Sequence, residues 1–108
     1  MKEKDYVYDY YVQTFRELCF DIGYENQVLR SNMFKIVEIN EKLKKLYKSF
    51  ENFRNYQWED FFFYFKEAEE LYLDRMFYRD MIEASILELN ENYKWLDSLW
   101  TKIIEYES

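Results

Sequence analysis

Carboxylates are the side chains of this sequence best placed to do chemistry, because the alternatives are missing. The 108 residues contain no histidine, one cysteine and one glycine. Without an imidazole there is no Ser-His or Cys-His couple, no His-ligated zinc and no general base titrating near neutrality. A loop that cradles phosphate needs several glycines, and Gly23 stands alone. Cys19 is likewise single, which excludes an intrachain disulfide or a thiolate cluster. What remains is Glu67 with Glu70 and Glu88 with Glu91, two E-x-x-E pairs with Asp80 and Glu83 between them. A spacing of three puts each pair on one face of a helix, and pairs on facing bundle helices can hold Mg²⁺.

An all-helical, Mg-dependent nucleotide pyrophosphohydrolase would use such pairs, normally completed by E-x-x-D on the following helix. Here the second pair ends in Glu91 near a suspected break, and no Lys or Arg is placed to bind a phosphate held between the pairs. Carboxylates also fall at this spacing by chance in any acidic helix, so the non-catalytic reading is preferred and no cofactor is expected. Cations offer a second chemistry. Lys42, Lys44, Lys45 and Lys48 make one stretch locally basic, which suits a solvated outer face better than a phosphate or lipid contact. Arg75 and Arg79 lie one turn apart on an otherwise apolar stripe. A guanidinium there needs a carboxylate, a carbonyl or an external anion, so an oligomeric binder of small anionic (nucleotide) ligands is a further alternative.

Aromatic residues supply the third pattern. In "DFFFYFKEAEE", Asp60–Glu70, five aromatics follow one another, and at about 100° per residue they cannot share a face. On a helical wheel Phe61, Phe65, Ala68 and Tyr72 cluster with Met76 as the expected core face, flanked by Phe62 and Tyr64. Phe63 falls on the opposite side among Glu59, Glu67, Glu70 and Asp74, so it meets either another helix of this chain or another molecule. Phe77 and Met81 continue that side as an i,i+4 pair and read as surface. Tyr6 and Tyr10 repeat the arrangement in the first segment, with Phe20 leaning the same way. Aromatic anchors rimmed by charge have the composition of a binding surface.

The elements that carry these residues are helices. One glycine and no proline leave little hairpin chemistry. Tyr8, Tyr11, Phe15, Leu18 and Ile22 recur at alternating spacings of three and four, and Gly23 follows where a C-cap belongs. Leu29, Asn32, Ile36, Ile39, Leu43, Leu46, Phe50 and Phe53 continue the rhythm with one polar member, Asn32. A third series runs Phe61, Phe65, Ala68, Tyr72, then Ile82, Ile86, Leu89, Tyr93, Leu96, Trp100 and Ile103. Asn55 is the expected breaker after the second series, and "LNENY" (Leu89–Tyr93) the break within the third. The expected fold is all-α, an antiparallel bundle of three to four helices over about 4–22, 27–54, 57–89 and 92–106. A single helix over 57–106 is the rival.

The length fits one helical domain over 1–108. Apolar content of 49% excludes a disordered tail, and no apolar run approaches a bilayer span. The N-terminus lacks an apolar stretch before a cleavage site, so a cytoplasmic protein is expected. Net charge is −7, divided as −2 over 1–30, +3 over 31–56 and −8 over 57–108. An acidic C-terminal half is unsuited to tracking a nucleic-acid backbone and suited to a protein with a basic surface. The functional expectation is a non-catalytic protein-binding module. By analogy of size and composition it would be a small phage or mobile-element accessory protein that inhibits a host defence protein, acting in the host cytoplasm. Its expected contacts are Phe63, Glu67, Glu70, Asp74, Phe77 and Met81, with Tyr6 and Tyr10 as a second patch; the same surface could make a homodimer.

Overall fold

The computed structural model describes residues 3–52 and 58–108, and places them in two helices, α1 (Glu3–Asn52) and α2 (Trp58–Glu107). The chain is therefore all-α, but the expected three to four helices are two. The proposed breaker Asn55 lies outside the described residues. Among the described residues no helix is long and apolar enough to cross a membrane.

Gly23 does not end a helix. No glycine has positive φ, so the left-handed cap is absent and α1 runs through residue 23. The reason lies in the register: Ile22 and Leu29 are seven residues apart, so the first two series share one heptad frame and nothing resets between them. Breaking the helix would misalign two apolar stripes. Keeping it costs about 1 kcal/mol for one interior glycine. The Asn26 side chain supports this turn, its Nδ2 donating to the Ile22 carbonyl at 3.0 Å. "LNENY" is no break either, since Leu89 is buried and α2 continues to Glu107.

The residues form two compact units, Met1–Leu29 with Ala84–Ser108, and Arg30–Glu83. In the first unit the helix segments run antiparallel, because Tyr8 and Tyr11 meet Tyr106 while Phe15 meets Trp100. Its core is Leu18, Ile22, Leu89 and Leu99, with Tyr11, Phe15, Leu29 and Leu96 packed against it. Each fully buried Leu or Ile contributes about 1.5–3 kcal/mol. At one end the Tyr8 hydroxyl donates to Glu107 Oε1 at 2.7 Å, and Lys102 Nζ sits 5.4 Å over the Tyr11 ring.

The second unit is also antiparallel: Leu43 and Leu46 share a groove with Tyr64 and Ala68, and Ile36 shares one with Ile82. Its core is thin. Ile39 is its one buried hydrophobic side chain among the described residues.

The inward face of α2 is rotated from the expected one. Ile82, Leu89, Leu96 and Ile103 turn inward as anticipated, but the alternate positions shift by one residue. Tyr64, Leu71, Ser85, Asn92 and Leu99 face inward in place of Phe65, Tyr72, Ile86, Tyr93 and Trp100, all of which are exposed. Met76 is exposed as well, and the Phe61 side chain lies outside the described set. In four of these five adjacent pairs the smaller residue takes the contact; in the fifth, Tyr64 turns inward beside a Phe65 of nearly the same size. Ser85 and Leu99, at 4% and 3% exposure, let the two backbones approach where Ile86 and Trp100 would hold them apart.

Candidate functional site: the outward faces of the second unit

Phe63, Phe77 and Met81 lie on one side of α2 in the second unit, exposed at 66%, 57% and 41%. The structure thus places Phe63 on the surface. Neither phenylalanine is loose. Phe63 sets its ring edge against Tyr64 at 6.4 Å and 81°, and Phe77 does the same against Tyr78 at 5.3 Å and 78°. Tyr64 and Tyr78 are half-buried and fourteen residues apart, and Tyr64 shares a groove with Leu43 and Leu46 of α1. Each half-buried tyrosine therefore props the outward phenylalanine before it, which lowers the entropy cost of using that ring as an anchor.

Glu67, Glu70 and Asp74 are exposed around these rings. Among the described residues none of the three enters an ion pair. Their charges project into solvent beside apolar rings.

Tyr6 and Tyr10 are exposed at 62% and 63% but belong to the first unit, with Tyr10 leaning on Tyr11 at 6.0 Å. The carboxylate pairs are divided in the same way: Glu67 and Glu70 lie in the second unit, Glu88 and Glu91 in the first, where Lys94 Nζ is 3.7 Å from Glu91. Among the described residues no group of three or more acidic or cysteine side chains is arranged to hold a metal. Arg75 and Arg79 stand in solvent rather than in a core. They line a groove of about 290 Å³ with Tyr72 and Met76, and Arg79 Nε approaches Glu83 at 4.0 Å.

A second outward face went unread in the sequence. Leu43, Leu46 and Tyr47 of α1 and Phe65, Ala68 and Tyr72 of α2 enclose a groove of about 220 Å³. Met33, Phe34 and Val37, with Arg30 and Arg79 at its ends, form a wider one of about 780 Å³ over Ile36 and Ile82. Phe65 stands two residues from Phe63, about 160° away round the helix, so this face is not the acidic-aromatic one. Its signal was present as doublets: Asn32-Met33, Ile36-Val37 and Leu46-Tyr47 in α1, Tyr64-Phe65 and Leu71-Tyr72 in α2. In each doublet the first residue turns inward and the second outward.

Comparison with family models, with curated proteins and with solved structures returned no match.

Proposed function

We propose that this chain is a non-catalytic protein-binding module that uses the acidic-aromatic face of α2 in its second unit. The observation that carries the reading is the set Phe63, Phe77 and Met81, exposed and braced, amid Glu67, Glu70 and Asp74. Such a surface fits a groove with an apolar floor and a Lys- or Arg-rich rim. The rings supply binding energy, while the carboxylates steer the encounter and set its orientation. Tyr6 and Tyr10 form a second, smaller patch for the same use. A role as a small acidic inhibitor of a host defence protein, encoded by a phage or mobile element, suits this profile.

The test is capture of the partner from a host lysate by the full chain, followed by titration of the purified pair. Phe77→Ala is expected to weaken the complex about 30-fold, the loss of a 2 kcal/mol anchor. Glu70→Gln with Asp74→Asn is expected to slow association and flatten its salt dependence. Undiminished affinity in Phe77→Asp with Met81→Asp, at native helicity, refutes the assignment.

A further inference from the structure

The apolar face of the second unit is open in the single chain, and four observations bear on what covers it. The first is the doublet pattern. A helix that packs on one neighbour needs a single stripe, whereas Met33, Val37 and Tyr47 on α1 and Phe65 and Tyr72 on α2 add a second stripe beside the first. Helices of a four-helix core carry that wider apolar sector, because each touches two neighbours.

Area is the second. The chain exposes 9169 Å². A folded monomer of 13.8 kDa is expected to expose about 6,600 Å², which leaves an excess of about 2,500 Å² per chain. Covering half of that on each of two copies hides about 2,500 Å², within the range of obligate homodimers.

The third is the thinness of the second unit's own core. Among the described residues it has Ile39 as its buried hydrophobic, whereas the first has Leu18, Ile22, Leu89, Leu99 and Ile103.

Charge is the fourth, and it selects the occupant. The second unit holds 10 basic and 11 acidic residues, the first 5 and 11. Bringing together two copies of the nearly neutral unit raises little repulsion. Within it, residues 30–52 carry six basic and three acidic side chains, and residues 58–83 carry three and eight. In a two-fold contact, residue i of one copy meets j of the other and j meets i. Glu67, Glu70 and Asp74 belong to the other face, but Glu69 and Glu83 stand one heptad either side of Met76 and Lys44 one heptad beyond Val37, so Lys44 of each copy facing these carboxylates of the other makes the favourable contact twice.

We propose that a second copy of this chain covers the face formed by Met33, Val37, Tyr47, Phe65, Tyr72 and Met76, so that two second units build one four-helix core. The acidic-aromatic face lies on the other side and stays free, so dimerisation and partner binding are separate properties.

Sedimentation equilibrium of the full chain tests this. The wild type is expected at twice 13.8 kDa from micromolar concentrations upward. Val37→Glu with Tyr72→Glu, both more than half exposed in the single chain, is expected to sediment as one chain. A charge exchange guards against a variant that merely unfolds. Lys44→Glu with Lys48→Glu, and separately Glu69→Lys with Glu83→Lys, each weaken the homodimer at least tenfold, and an equimolar mixture restores the two-chain mass. Phe77→Asp with Met81→Asp leaves that mass unchanged. A one-chain wild type, a two-chain Val37→Glu/Tyr72→Glu variant, no recovery on mixing, or dissociation by Phe77→Asp/Met81→Asp overturns the proposal.

Discussion

Gly23→Ala separates a continuous α1 from a helix that stops at residue 22, because the two structures give the change opposite signs. In the continuous helix residue 23 is exposed, its φ is not positive, and a Cβ built there meets nothing within 4 Å. No clash and no new contact arise, so the effect reduces to helix propensity, where Ala exceeds Gly by about 0.8–1.0 kcal/mol. Had Gly23 been a left-handed cap, the methyl group would instead cost about 1–2 kcal/mol. The predicted stabilisation corresponds to a rise in Tm of about 4–8 °C for a chain of this length. Far-UV circular dichroism melts at matched protein concentration read it, with concentration fixed because association shifts Tm. A fall in Tm would falsify the continuous helix.

Three further outcomes follow from the packing. Leu99→Ala is expected to cost about 2–5 kcal/mol and Trp100→Ala only about 1 kcal/mol, the value of its ring contact with Phe15, and urea melts rank the two. The opposite ranking would restore the unshifted face of α2. Asn32 Nδ2 is buried without a hydrogen-bond partner, so Asn32→Leu is expected to stabilise by about 1–3 kcal/mol while relaxing register, seen as a higher Tm with a broader mass distribution. The Tyr8 phenol is held above its usual pKa of 10.0 by its hydrogen bond to Glu107, then by desolvation and the charges of Glu107 and Asp9. Its stabilising contribution is thus complete below pH 10.0 and lost as pH rises through the raised value. Tyr8→Phe is expected to flatten the alkaline fall of Tm, with tyrosinate absorbance reporting the missing high titration.

The outward position of Phe77 and Met81 could be read from the helical wheel, which sets them on the carboxylate-bearing side of α2, away from the expected core face. Phe63 was harder: its wheel position gave the side, but only its exposure of 66% in the folded chain made that side a surface. Local signals misled at Gly23 and "LNENY". Each is worth about 1 kcal/mol of propensity, less than the apolar stripes that run through them in unbroken register. Arg75 and Arg79 are exposed rather than set in an apolar core, and among the described residues no three acidic side chains gather as a metal site.

The helical class, the heptad rhythm and the candidate contact residues follow from the amino-acid order alone. Hydrophobic periodicity is a property of one chain segment and can be read without a partner. The tertiary structure decided the phase of α2. Along that helix many inward positions have a larger, more hydrophobic neighbour, such as Ser85 beside Ile86 or Leu99 beside Trp100, and hydrophobicity alone favours the larger. The choice depends on how closely α1 can approach, and close approach favours the smaller side chain. Turning Tyr64 and Leu71 inward put Phe65 and Tyr72 outward, and the open apolar face of the second unit is the direct result.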